Sequence, residues 1–478
     1  MSKWWPVPKA LSGDLKFKNH KLPKMMLVGL LGVTFLYISV AGLVSVTTPW
    51  LARGDTVQHV DYTWRLWNGD IPRWSDGITY PPFVKLEGHK AEAASANPPL
   101  FYMIHAPFVG PLLNGGHWHK AIAVGRAINI FIGVLCIAVL AWAGWLFGGT
   151  RRALFAVAVP ALSVLMYRFT RLNVDYALDA LVVLWATLSL IFNYKILQYG
   201  LRRKYLIGLA LISVAGMATK APYIVFLLVS LLAIVIASLM HGKGSTPRRI
   251  IKGGLISAGI FALVLAAIGW FYYFRNYKSH GNWFSSSPPG YTGGRKIQSL
   301  HDVLTNKKLW GLLYSDFSVS ATASVVLVSL ALAGWLTTTR KAMRDYLGDR
   351  ARAIAIGLMA LTALGTFIVQ IKFATGIGSI NFRYLLPAIL PISLFLSAGL
   401  LAFKTTKGQL VSLLVLAMAA SSITSLTSSH FHGLYSATRA NGIPGVVVSL
   451  LLLLFVLGAT CLGWSLFDLS KSRKTTAG

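Results

Sequence analysis

Asp55 and His59 stand one helical turn apart in the stretch Gly54-Asp55-Thr56-Val57-Gln58-His59-Val60-Asp61-Tyr62. A carboxylate so placed can take a proton from an attacking group, and an imidazole one turn on can orient it or bind a reactant. Aspartate before an amphipathic run is also a common helix cap, and the two tasks are compatible. Further on, Asn97-Pro98-Pro99-Leu100-Phe101-Tyr102 sets two prolines at a helix start. A second acidic pair, Asp175 and Asp179, is spaced to share one helical face. Asp175 either joins the chemistry or pairs with Arg168 or Arg171 just before it. Asp179 falls in a run expected at membrane depth, where an acid is costly and usually functional. Lys220, Arg275 and Arg383 each lie at the end of an apolar run, where a cation either binds an anion or snorkels to the interface. Asp61 is expected to form an ion pair with Arg65, one turn on.

The elements that must position these groups are apolar helices. Of 478 residues, 55% are hydrophobic and only 12% charged, with a mean hydropathy of +0.62. Apolar runs of roughly 18–24 residues, separated by basic clusters, predict an all-α polytopic membrane protein of about 12 spans with no separate soluble domain. A basic tail over 1–24 precedes a span at Met25–Val46, which reads as a first span rather than a cleaved signal. Further spans are expected near 121–147, 153–167, 176–194 and 254–274, with a hairpin around Thr219–Pro222, one opening at Arg383, and two enclosing 428–444. The membrane domain is placed at 25–467, with a tail at 468–478. The polar turn 168–175 and two long loops, 48–120 and 275–318, interrupt it. Cys136 and Cys461 lie inside apolar runs, which predicts free, buried thiols.

The net charge of +31 excludes little by itself. The basic residues punctuate the apolar runs instead of forming one patch, a topology signal and not a nucleic-acid surface. Ten of the 14 acidic residues fall opposite the side that collects the tails and short basic loops. That predicts cytoplasmic termini and extracytoplasmic long loops. The first loop holds six of those acids: Asp55, Asp61, Asp70, Asp76, Glu87 and Glu92. Around its helix, Val57, Val60, Trp64 and Trp67 fall opposite Asp55, His59 and Tyr62, the pattern of an interfacial helix with its tryptophans among lipid headgroups. Gly69 and Pro72 end it. The second loop carries Asn276, Trp283, Pro288-Pro289-Gly290-Tyr291 and Gly293-Gly294, which suit either sugar stacking under a mobile lid or interfacial anchoring. There is no phosphate-binding glycine motif, no dinucleotide fingerprint and no Cys/His metal spacing.

These residues resemble the polytopic glycosyltransferases of the GT-C fold that use polyprenyl-phosphate sugars, among them protein mannosyltransferases and lipid A aminoarabinose transferases. Asp55 to Tyr62 is similar to the family's first outer-loop motif, Gly69-Asp70-Ile71-Pro72 to its second, and Asn97-Pro98-Pro99-Leu100 to its third. Arg126, Asn173-Val174-Asp175-Tyr176-Ala177-Leu178 and Arg383-Tyr384-Leu385-Leu386-Pro387 are similar to later family stretches. The resemblance implies an inverting transfer, at the extracytoplasmic face, from a polyprenyl-phosphate-linked donor to an acceptor hydroxyl or amine on a glycan, lipid or protein. In it Asp55 is the general base and Asp175 assists. His59, Asn97 and Tyr384 contact substrate, while Arg383, with Lys220 and Arg275, holds the donor phosphate. The family's acid after the first Asp is Thr56 here, and its His before the prolines is Asn97. These changes remove a carboxylate and an imidazole that a divalent metal would need, so no metal ligand is assigned. The competing classes are a transporter or flippase of a lipid-linked saccharide and a non-catalytic protein of the same fold. Transporters place ionisable groups at the bilayer midplane and often repeat their halves, whereas here the acids crowd one face and no repeat is evident.

Overall fold

The computed structural model describes residues 23–51, 54–87, 91–281, 283, 296–314, 321–338, 343–344, 347–402, 438 and 441–471. Among them every regular element is helical. Helix α1 (Lys24–Thr47) matches the expected first span. The first loop folds into α2 (Gly54–Trp67), α3 (Pro81–Glu87) and α4 (Leu100–Asn114). Then come α5 (Trp118–Phe147), α6 (Arg152–Leu165), α7 (Tyr167–Val174), α8 (Asp179–Tyr199), α9 (Arg203–Met217), α10 (Ile224–His241) and α11 (Thr246–Val264). π-helical turns carry α11 on to Tyr277. Apolar helices at Ala321–Leu336, Arg350–Ile377, Ile389–Leu400 and Gly445–Lys471 complete the bundle.

Seven of the described helices are long and apolar enough to cross a membrane, and an eighth arises if α6 and α7 form one span bent by 70°. Ser324–Leu336 and Leu386–Leu400 are shorter apolar helices. The eleventh expected span lies outside the described residues, among which seven or eight helices of spanning length are found. The expected polar turn at 168–175 is instead the helix α7, and the span expected at 254 begins at Thr246.

Small residues bring the two ends of the chain together. A methyl group added at Gly32 would meet the Leu462 amide at 2.6 Å, and one at Gly458 would meet the Leu36 amide at 2.7 Å. Ser39 Oγ donates to the Leu451 carbonyl and Ser465 Oγ to that of Met25, each at 2.6 Å. Close backbone approach with serine hydrogen bonds is how helices associate where lipid supplies no hydrophobic drive. Arg126, buried on α5, donates to the carbonyls of Ser45, Thr48 and Pro49 and lies over the Trp50 ring. It straps the end of α1, and hence the start of the first loop, to the bundle.

The first loop is packed, not draped on a lipid surface. Val57 and Val60, assigned to a lipid-facing side of α2, are 1% and 0% exposed, and Tyr62 and Asp61 are buried as well. Trp64 Nε1 donates to Asn114 Oδ1 on α4. Helix α2 is therefore gripped around most of its circumference, because α4 and the spans supply apolar partners on the side that the sequence pattern alone assigns to lipid. Gly69, at φ +85°, lets the chain reverse after α2, in a region that side chains with a Cβ rarely adopt. Both cysteines are free; Cys136 is buried and Cys461 half-buried.

Candidate active site

The first turn of α2 places Asp55 at the mouth of the bundle, with 62% of its side chain exposed. Across it comes Arg383, from the short helical turn Phe382–Tyr384, which the Asn381 side chain caps by accepting from the Arg383 amide. Arg383 Nη1 donates to Asp55 Oδ2 at 2.7 Å, and its Nε lies 2.6 Å from Asp179 Oδ2. Asp179, 4% exposed at the start of α8, also accepts from Lys220 Nζ at 2.9 Å. Lys220 comes from the turn between α9 and α10, and its ammonium lies 6.0 Å from the Tyr384 ring centroid. Two carboxylates and two cations from four parts of the chain thus alternate in one chain of ion pairs. Burial raises the Asp55 carboxyl, but the charges of Arg383, His59 and Lys220 outweigh it and hold the group below its ordinary value.

His59 is buried one turn below Asp55. Desolvation pushes its imidazole down to about 3, with Arg383 and Lys220 working against the opposite pull of Asp55. The ring is neutral, and its Nδ1 lies 2.8 Å from the Tyr102 hydroxyl. Burial also keeps that phenol protonated, so the contact is one between two neutral groups. Tyr102 stacks on Tyr62 with centroids 3.7 Å apart. Asn97 is one layer out: its carbonyl accepts from Tyr62 Oη, and its side chain bears on Tyr102. The Leu100 amide donates to the Ala218 carbonyl, joining the Pro-Pro stretch to the Lys220 turn.

Several expectations need correction. Asp175 and Asp179 do not share a helical face, because α7 ends at Val174 and α8 begins at Asp179, with Asp175 in extended backbone between them. The Asp175 carbonyl accepts from Asn129 Nδ2 on α5. The buried member of the pair, Asp179, occupies the site. Asp61 does not pair with Arg65. It accepts from the Thr79 and Tyr80 amides, and Arg65 instead bridges Asp70 and Asp76. The backbone amides reach Asp61 because the chain folds back after Gly69, a contact that helical spacing cannot reveal.

Arg275, in the π-helical extension of α11, stands apart from the ion-pair chain. Its charge bears on Tyr62, and its Nη1 is buried with no hydrogen-bond partner among the described residues. Trp283 stacks against Tyr277 at 4.8 Å and its carbonyl accepts from Asn276; the Pro288–Gly294 stretch lies outside the described residues. Sequence reasoning passed over Glu92, which is fully buried near Asp61. Burial and the Asp61 charge raise its carboxyl well above the ordinary range. Its one visible sign is an acid set among small apolar residues, Ala91-Glu92-Ala93-Ala94. Among the described residues no group of three or more His, Cys, Asp or Glu side chains is placed to hold a metal ion.

A cavity of about 430 Å³ is lined by Leu385, Pro391, Phe395, Trp335, Met359 and Phe147 among others. Its wall begins two residues after Arg383 and is almost wholly apolar.

The fold and site define a helical membrane protein with a charged, partly open cluster at one end of its bundle. Its structure is similar to that of ArnT from Cupriavidus metallidurans bound to undecaprenyl phosphate, at 14% identity over 90% of this chain and 77% of that one, with a TM-score of 0.46. The apo form of the same protein gives 15% identity, 90% and 76% coverage, and a TM-score of 0.45. No family model and no curated protein matches the chain.

Proposed function

We propose that the chain is an integral-membrane glycosyltransferase that moves a sugar from a polyprenyl-phosphate-linked donor to an acceptor hydroxyl or amine at the extracytoplasmic face. The observation that carries the reading is the exposed Asp55 carboxylate held by Arg383 at 2.7 Å, with the Lys220 cation reached through Asp179. Such a transfer needs a base for the acceptor proton, positive charge for the departing phosphate and an apolar track for the lipid. Asp55 answers the first requirement, Arg383 and Lys220 the second, and the apolar wall that includes Leu385 the third.

In the proposed reaction the acceptor oxygen or nitrogen attacks the anomeric carbon on the face opposite the phosphate. The new bond to that carbon forms as the carbon–phosphate-oxygen bond breaks, so configuration inverts. The acceptor proton goes to Asp55, and the electron pair of the broken bond leaves with the polyprenyl phosphate. Arg275 has a buried guanidinium nitrogen without a hydrogen-bond partner among the described residues, which a phosphate oxygen would satisfy. Arg383 and Lys220 add positive charge, while Asp179 keeps both in place. As Arg383 turns toward the phosphate it loosens its hold on Asp55, whose proton affinity then rises when the base is needed. Neutral His59, fixed by Tyr102, supports Asp55 without adding a competing cation. The apolar cavity beside Leu385 suits the prenyl chain.

The test is transfer of label from a radiolabelled polyprenyl-phosphate sugar pool by membranes containing wild type, Asp55→Asn or Arg275→Gln at matched expression. Transfer by wild type and none by Asp55→Asn supports the reading. Equal transfer by Asp55→Asn removes Asp55 as the base, and no transfer by wild type across several donors points to a lipid-saccharide transporter.

A further inference from the structure

The far end of α8 from Asp179, about 24 Å along the helix axis, carries a second concentration of charge that the proposed reaction does not use. Lys195 lies one turn before the end of α8 and is only 9% exposed. Its ammonium and the Arg202 guanidinium each lie 5.4 Å from the centroid of the Tyr199 ring. Tyr199 stacks with Tyr205 at 5.8 Å, and the Lys204 ammonium lies 5.0 Å from the Tyr205 centroid. Lys204 is also the like charge that acts on Lys195. No carboxylate pairs with Lys195, Arg202 or Lys204 among the described residues. The acid on the neighbouring helix, Asp349, is engaged by Arg352, by Tyr194 and by the amides of Ala351 and Arg352 that it caps.

Helix polarity favours cations just past the end of α8, and membrane topology favours them on this side of the bundle. Neither effect gathers three cations around two tyrosine rings, with the Lys195 stem packed in the helix and its ammonium left accessible beside that of Lys204. Cation–π contact offsets part of their mutual repulsion. The remaining unpaired charge is what a tetrahedral oxyanion would satisfy. Oxygens held by Lys195 and Lys204, with the Arg202 fork at the rim, have the donor set of a phosphate site. Exposed apolar side chains run away from it along α9, at Ile207 and Leu211, as acyl chains would.

We propose that Lys195, Arg202 and Lys204, arranged around Tyr199 and Tyr205, form a phosphoryl-anion site that takes the headgroup of an acidic phospholipid in the leaflet opposite the Asp55 cluster. The experiment uses the full-length protein in detergent. Thermal stabilisation and native mass spectrometry are followed with added phosphatidylglycerol, phosphatidylcholine or inorganic phosphate. Phosphatidylglycerol is expected to bind and stabilise where the other two do not. Lys195→Gln with Lys204→Gln weakens its apparent affinity roughly tenfold or more, whereas Lys243→Gln with Lys252→Gln, removing equal charge from exposed positions on the same side, changes it by less than about twofold. Lys195→Arg retains binding, and exposed Lys204→Gln carries the test if Lys195→Gln does not fold. Equal losses in the two double variants would overturn the site in favour of diffuse surface charge. Inorganic phosphate acting as well as the lipid would overturn the lipid as its occupant.

Discussion

Arg383 reaches across 328 residues of chain to hold Asp55 at 2.7 Å, and the same guanidinium touches Asp179 at 2.6 Å. One cation thus serves two carboxylates of unlike setting: Asp55 is 62% exposed and Asp179 only 4%. The exposed acid is free to meet a ligand, whereas the buried one is committed to the scaffold.

Removing each acid should separate these roles. Asp55→Asn is expected to lower transfer by roughly 10²–10⁴-fold, the usual loss of a general base, with the thermal midpoint almost unchanged. Asp179→Asn leaves Lys220 and Arg383 short of a buried counter-charge and is expected to destabilise the fold by about 3–5 kcal/mol. Thermal unfolding in detergent, alongside the transfer assay, distinguishes them.

The pH dependence follows from the same contact. Net positive charge holds the Asp55 carboxyl below its ordinary value, so the base stays ionised, and activity present above that value is lost as pH falls through it. Arg383→Gln removes the largest stabilising charge and leaves the burial, so the acid limb of the remaining activity moves to higher pH. An unmoved limb in that variant would show that another group limits the rate.

Glu92 gives the opposite sign. Its carboxyl is raised in the folded state, so its contribution to stability is full at pH below the unfolded value of 4.5 and declines as pH climbs through the raised one. Glu92→Gln is expected to flatten the fall in melting temperature between mildly acidic and alkaline pH without weakening the fold at neutrality. Asp61→Asn, which disturbs acceptance from two backbone amides, is expected to cost about 1–3 kcal/mol.

Arg275 should act through binding alone. Arg275→Gln breaks no ion pair among the described residues and is expected to leave melting unchanged while raising the donor's KM roughly 10- to 100-fold, the scale of one hydrogen bond to a charged group. A stability loss with unchanged KM would make it a packing residue.

Gly125 ties the span to the site. A methyl there would drive into the Tyr176 ring, whose hydroxyl lies 2.8 Å from Thr63 Oγ1 on α2. Gly125→Ala is expected to cost about 1–3 kcal/mol by overpacking. It should also lower transfer, because α2 carries both Asp55 and His59.

The sequence by itself determined the helical membrane character, since long apolar runs in lipid have no other way to satisfy their backbone. It also gathered six acids in the first loop and put Asp55 one turn from His59, because helical spacing is local. Lys220 and Arg383 were visible as span-end cations, but not their partners. Only the tertiary structure decided that Arg383 bridges Asp55 and Asp179, that α8 begins at Asp179 and leaves Asp175 in extended backbone, and that Val57 and Val60 face protein instead of lipid. Those outcomes depend on where helices distant in sequence come to rest. The break between α7 and α8 shifts every later residue off the face that an unbroken helix would give it. Periodicity fixes which residues share a side of one helix, and packing alone fixes what that side meets.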